Sequence, residues 1–149
     1  MLQLVKPVIL LMRVVADTNI IVSGLLWRGN PRRVLDAARD GIIELFTSAV
    51  LLDELEAVLS REKFSQRLAK ANVTAHELVM GYAVLATLIE VETVEPVILA
   101  DPDDDAVLAC ALAGECNVIT SGDSHLLDLK EYRSIRILTA AEMLGDLFL

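Results

Sequence analysis

Acidic residues stand where an alternating α/β chain could bring them together. Asp17 closes the run Val14-Val15-Ala16 in the motif Asp17-Thr18-Asn19, and Asp123 follows Val118-Ile119-Thr120-Ser121-Gly122. A third group, Asp101-Pro102-Asp103-Asp104-Asp105, precedes the apolar stretch Ala106–Ala113. Carboxylates gathered at one sheet edge form a site for a hard divalent cation, Mg²⁺ or Mn²⁺, which takes oxygen ligands. A ligand set without histidine or cysteine argues against zinc.

Each acid also has a structural explanation. Carboxylates in the first turn of a helix are stabilised by its exposed amides and dipole, which accounts for Asp101, Asp103 and Asp104. Asp105 shares a helix face with Leu108 and Ala109, so its burial without a partner would be costly and a functional role is favoured. Asp17 could cap the next helix, and Asp123 after Gly122 could be a turn residue. In the segment from Ser48, the apolar stripe Leu51, Leu52, Leu55, Val58 and Leu59 puts Asp53 opposite, with Glu54 and Glu56 bordering it on either side. Spacing alone leaves the choice between those two glutamates open.

The elements that must position these residues alternate along the chain. Arg13–Asp17 reads as a strand and Ile20–Trp27 as a helix; Asn30-Pro31 opens a second helix that stops at Gly41. Ile42–Thr47 is the second strand, and Ser48 caps a helix to about Ser60. Thr74 and Glu77 spell a capping box for a long apolar helix to about Ile89. Val91–Val94 and Val97–Leu99 are strand candidates, followed by a helix from Asp101-Pro102 through Ala113 and a strand over Asn117–Thr120. Ile135–Leu138 is the last strand, and Thr139 with Glu142 opens a C-terminal helix. Strands separated by helices require crossovers, hence an α/β fold of three layers with a mostly parallel central sheet. In such sheets, sites form outside the carboxyl ends of the strands, where Asp17 and Asp123 stand.

The 149 residues, 54% hydrophobic, suffice for one core and one domain. The net charge of −9 disfavours unaided binding to a polyanion, so a bound cation or local basic patches must offset it. Arg28, Arg32 and Arg33 form one such patch; Arg61, Lys63, Arg67 and Lys70 form another. Cys110 and Cys116 are too close to staple a secreted scaffold and read as reduced thiols of a cytoplasmic protein. The apolar residues 1–12 are interrupted by Lys6 and Pro7 and show no small-residue cleavage site, so they read as an extension ahead of a domain over residues 13–149. No segment is long enough to span a membrane.

Taken in order, Asp17-Thr18-Asn19, Leu51-Leu52-Asp53-Glu54-Leu55, Asp101-Pro102-Asp103-Asp104-Asp105 with its Ala- and Leu-rich continuation, and Thr120-Ser121-Gly122-Asp123 before Leu126-Leu127 resemble the PIN-domain nucleases. The resemblance covers Arg13 to Leu149 and is narrowest to a toxin branch related to VapC. It implies an acidic quartet at Asp17, Glu54, Asp105 and Asp123 as metal ligands and catalytic residues, selecting Glu54 over Glu56. Asn19 matches the polar residue that supports the first acid, and Ser121 a hydroxyl position near the metal. It further implies metal-dependent endonucleolytic cleavage of RNA leaving a 3′-hydroxyl, a cognate antitoxin, and a homodimer. Phosphodiester hydrolysis suits such a site: Mg²⁺ or Mn²⁺ can activate water, shield nonbridging oxygens and stabilise the leaving alkoxide. The turn Asp123-Ser124-His125-Leu126-Leu127 departs from the branch's Asp-Lys-Asp-Leu-Leu, and His125 could bind phosphate or metal or be a plain turn residue.

Other classes fit less well. A phosphoacceptor receiver domain needs a lysine after its last strand, where this chain has Thr139-Ala140-Ala141, and a haloacid-dehalogenase-like phosphatase needs an Asp where Asn19 stands. The remaining rival is a catalytically silent PIN fold that binds RNA or protein. The apolar circumference of the segment Thr74–Ile89 exceeds what one sheet face needs, which independently favours a homodimer.

Overall fold

The computed structural model describes residues 11–92 and 102–148, with only the backbone of Pro102 and Asp103. Strand β1 (Met12–Ala16) leads into helices α1 (Thr18–Leu26) and α2 (Asn30–Arg39), then β2 (Ile43–Thr47) and α3 (Ala49–Leu59). A 3₁₀ turn (Glu62–Phe64) precedes α4 (Ser65–Ala71), α5 (Ala75–Leu85) and β3 (Thr87–Leu88). The rest comprises α6 (Pro102–Ala113), β4 (Val118–Thr120), α7 (Ser124–Leu129), β5 (Glu131–Tyr132), β6 (Ile135–Leu138) and α8 (Ala140–Leu147). The sheet order is β3-β2-β1-β4-β6-β5, parallel throughout except for the β5–β6 pair. This is the expected α/β architecture with a mostly parallel sheet.

Residue alternation along the strands divides the core between the two faces. Val14 and Ala16 of β1 and Val118 of β4 join a cluster with α1, α2, α8 and most of α3. Val15 and Ile119, one position along, join α6, Leu126 of α7 and β6. The capping boxes form as the sequence specifies. Thr74 and Glu77 exchange bonds of 3.1 Å at the start of α5, and Thr139 and Glu142 exchange bonds of 3.0 and 3.1 Å at α8. The Thr139 backbone and hydroxyl bonds hold the Glu142 carboxyl below the usual range.

Three expectations change. The helix from Thr74 does not continue to Ile89: Ala86 turns extended, and Thr87 and Leu88 pair with Phe46 and Thr47. β2 has an open side there, and its backbone groups recruit the β-branched Thr87 into the sheet instead of another helical turn. Of the two strand candidates that follow, Val91 and Glu92 carry no regular structure, while residues 93–94 and 97–99 lie outside the described residues. The segment after Asp123, read as a turn, forms α7, and the basic segment after Ser60 forms a 3₁₀ turn and α4. Residues 1–10 of the proposed extension also lie outside the described residues.

Candidate metal centre

The chain runs from β1 to β2 and β3 on one side, then returns to place β4 on the other side of β1. The carboxyl ends of β1 and β4 therefore flank a topological switch point, the crevice where ligands bind in open parallel sheets. Ala16 pairs with Thr120, and the Asp17 amide donates to the Thr120 carbonyl at 2.9 Å, so Asp17 and Ser121 leave the sheet side by side.

Ser121 joins the two strand ends. Its hydroxyl donates to Asp17 Oδ2 at 2.8 Å and accepts from the Asp123 amide at 2.9 Å. Asp17 and Ser121 are buried. Asp123 caps α7, its Oδ1 accepting from the His125 amide at 2.7 Å, and the His125 ring Nδ1 stands 3.8 Å from the same oxygen.

Among the described residues, Asp104, Asp123 and His125 can each direct one ligand atom so that all three lie within 4.8 Å of one another. Two carboxylate oxygens and an imidazole nitrogen at that spacing fit a divalent cation. The carboxylates suit Mg²⁺ or Mn²⁺, and the His125 nitrogen widens the choice toward softer metals.

Asp104 belongs to this group, although its sequence position is explained by the helix N-terminus alone. Asp105 is also buried but sits one step round α6. With Leu108, Ala109 and Leu112 it lines a cleft of about 760 Å³ that also includes Glu90 and Glu92. Asp105 thus shares the apolar face expected for it. Asp104–Ala111 are all buried, so burial does not distinguish the two acids, of which the sequence favours Asp105.

On α3, Glu54 is half-buried with Oε2 shielded from solvent, whereas Asp53 is exposed. Glu56 engages His76 of α5 at 3.2 Å, which takes it to the opposite border of the helix. Helix α3 packs against α6, so Glu54 rides on the element next to Asp104. Asn19 is exposed in the first turn of α1, two residues after Asp17. The three arginines after α1 separate. Arg28 is exposed, Arg32 donates to the Gly24 and Leu25 carbonyls at 3.1 and 3.3 Å, and Arg33 lies with Asn30 toward α8.

Among the described residues, no helix is long and apolar enough to cross a membrane. No curated protein matches the chain. A chain in the crystal structure of VapBC2 from Rickettsia felis bound to a DNA fragment from their promoter has a similar fold. The TM-score is 0.57 at 13% identity, over 85% of this chain and 97% of that one. The PIN domain of T. brucei RRP44 gives a TM-score of 0.48 at 16% identity, covering 91% and 80% of the two chains. Residues 13–125, which run from the first strand through the acids after β1 and β4 to His125, match the PIN-domain family model, and the chain belongs to the PIN-domain family.

Proposed function

We propose that the protein is a Mg²⁺- or Mn²⁺-dependent endoribonuclease, the toxin of a toxin–antitoxin pair acting in the cytoplasm with a cognate antitoxin. The observation that carries this reading is the convergence at the switch point: Ser121 ties Asp17 to Asp123, and Asp123 shares a ligand-sized space with Asp104 and His125. Asp17, Asp123 and an acid of α6 are the proposed cation ligands, the α6 acid being Asp105 by the family resemblance or Asp104 by its spacing to Asp123, and Glu54 is proposed to bind a further ion or orient water. When bound, the cation supplies a water of lowered pKa and charge to stabilise the leaving oxygen.

The chain's own groups do the rest. The Ser121 proton holds the Asp17 carboxylate through Oδ2. The N-cap bond to His125 holds Asp123 in the same way. Glu54, half-buried and acceptor-only when ionised, can take a proton from a water in reach. Arg28, Arg32 and Arg33 offer charge to the flanking polyanion.

The test is incubation of the purified protein with labelled single-stranded RNA, tRNA and DNA in Mg²⁺, Mn²⁺ or EDTA, with the new ends mapped. Cleavage with 3′-hydroxyl ends that requires metal supports the reading. Absence of cleavage with either metal, in a preparation indistinguishable from Asp17→Asn, replaces it with the catalytically silent binding module. A homodimer belongs to the same proposal, since Met80, Val84 and Leu88 are exposed on α5 and β3. Light scattering that gives a monomer mass at micromolar concentration rules that part out.

A further inference from the structure

The sequence separates its basic residues into two clusters, and the fold joins them. Trp27, at the C-terminal end of α1, meets Phe64 of the 3₁₀ turn with ring centroids 6.0 Å apart. The Arg67 guanidinium lies 5.4 Å from the Trp27 ring centroid, and Lys63 Nζ lies 5.0 Å from that of Phe64. Arg67 also donates to the Leu26 carbonyl through Nε at 2.9 Å and through Nη2, which pins α4 to the end of α1. Arg28 follows Trp27 in the chain, Arg61 and Lys63 lie in and beside the turn that carries Phe64, and Arg32, Arg67 and Lys70 line one cleft with Leu25 and Leu26; Glu62 is the acid among residues 61–70. Among the described residues no salt bridge engages Arg28, Arg61, Lys63 or Lys70.

From this juxtaposition we infer a binding platform for single-stranded nucleic acid: Trp27 stacks a base, and the surrounding cations hold the adjacent phosphates. The surface departs from the rest of the molecule in sign, since the chain carries a net charge of −9 while this region is basic, and that charge complementarity selects a polyanion. The aromatic selects unpaired bases, because a π-face is available for stacking only when the base is free of a duplex. Arg67 contributes to the ring's environment and, with five donors, is not used up by one carbonyl.

The platform is separate from the acidic centre. Asp17 and Trp27 cap opposite ends of the nine-residue α1, roughly 15 Å apart along its axis at about 1.5 Å per residue. Bound at both places, a strand would be gripped away from the bond that is cut, so the platform would govern affinity and the length of strand needed. This inference rests on the nuclease reading for its purpose but not for its measurement.

Trp27 is the chain's single tryptophan, so its fluorescence reports on the platform directly. The experiment titrates the full-length protein in EDTA with single-stranded oligonucleotides of about twelve nucleotides, the matching duplex, and polyglutamate, across a range of salt. Single strands are expected to quench Trp27 and to bind more tightly than duplex. The double variant Arg61→Gln/Lys63→Gln, both exposed positions, is expected to weaken binding and to flatten the log–log salt slope by about 1.4, roughly 0.7 per lost phosphate contact. Trp27→Leu, with folding checked by circular dichroism and binding read from labelled oligonucleotide, should weaken it about 5- to 150-fold. Binding is read in EDTA, where it does not depend on metal or cleavage, so a failed nuclease and a failed platform give different results. The inference is overturned if oligonucleotides neither bind nor quench, if they bind with affinity unaffected by these variants, or if polyglutamate quenches where oligonucleotides do not.

Discussion

Ser121 has one proton to donate, and it spends it on Asp17 while accepting from the Asp123 amide. Replacement by Ala removes both bonds, one of them buried, a loss of about 1–3 kcal/mol. Ser121→Ala should therefore lower the melting temperature and, by freeing the Asp17 rotamer, weaken Mn²⁺ binding by roughly 10- to 100-fold. If the variant melts earlier but binds Mn²⁺ normally, the hydroxyl is structural only. The neighbouring carboxylates on α6 give a sharper contrast. Successive helical residues are about 100° apart, so Asp104 and Asp105 cannot both face Asp123. Asp104→Asn should abolish both cleavage and the Mn²⁺-induced rise in melting temperature that ligand binding to the native state gives. Asp105→Asn should retain most of both. Paired thermal melts in EDTA and Mn²⁺ decide, and the reverse ranking would show that α6 presents its other face to the site.

At the scale of elements, α1 and α2 approach closely at Gly24. A Cβ on Gly24 would lie 2.8 Å from Leu35 Cδ1 and 2.9 Å from the Pro31 carbonyl oxygen, and a backbone oxygen cannot rotate away. Gly24→Ala should push the helices apart and cost about 1–3 kcal/mol, seen as a lower urea midpoint with an unchanged slope. An unchanged midpoint would mean that α2 moves freely. How legible each element was depended on whether its signal is local. Capping boxes at Thr74 and Thr139 were legible because hydroxyl and carboxylate both act within one turn. The end of α5 was not, because β2 supplies the competing partner from about 40 residues away in sequence. The same holds at the site. Asp17, Ser121 and Asp123 follow from strand ends, which periodicity marks. Which acid of α6 enters the site does not follow in the same way, because Asp104–Ala111 are all buried and carry no stripe. Trp27 and Phe64 were passed over for the same reason, since their meeting depends on how α4 docks against α1.

On the scale of the whole molecule, the two thiols make stability depend on alkaline pH. Burial raises the Cys110 thiol from 9.0 to about 12, helped by Cys116 nearby, and burial also raises Cys116 to about 12 against the opposing pull of Arg13. Tyr82, enclosed with its hydroxyl fully buried, shifts upward from 10.0 for the same reason. A raised folded pKa means that these groups stay protonated in the native state while the unfolded chain ionises. Above about pH 9 the unfolded state thus binds fewer protons, and stability must fall as pH rises. The contribution is intact below the unfolded value near 9.0 and is gone once pH passes the folded value of about 12. Within that window each thiol adds a slope of about 1.4 kcal/mol per pH unit. The net charge of −9 grows more negative over the same range and pushes in the same direction, so a control is needed to separate the two. Cys110→Ala supplies it. The cavity lowers its stability at neutral pH, yet it lacks one of the ionising groups, so its unfolding free energy should decline less steeply from about pH 8 to about pH 11. Urea unfolding of both proteins across that range, with reductant present, makes the comparison. Parallel curves would mean that the Cys110 thiol titrates alike in both states, and that general charge repulsion alone causes the alkaline loss.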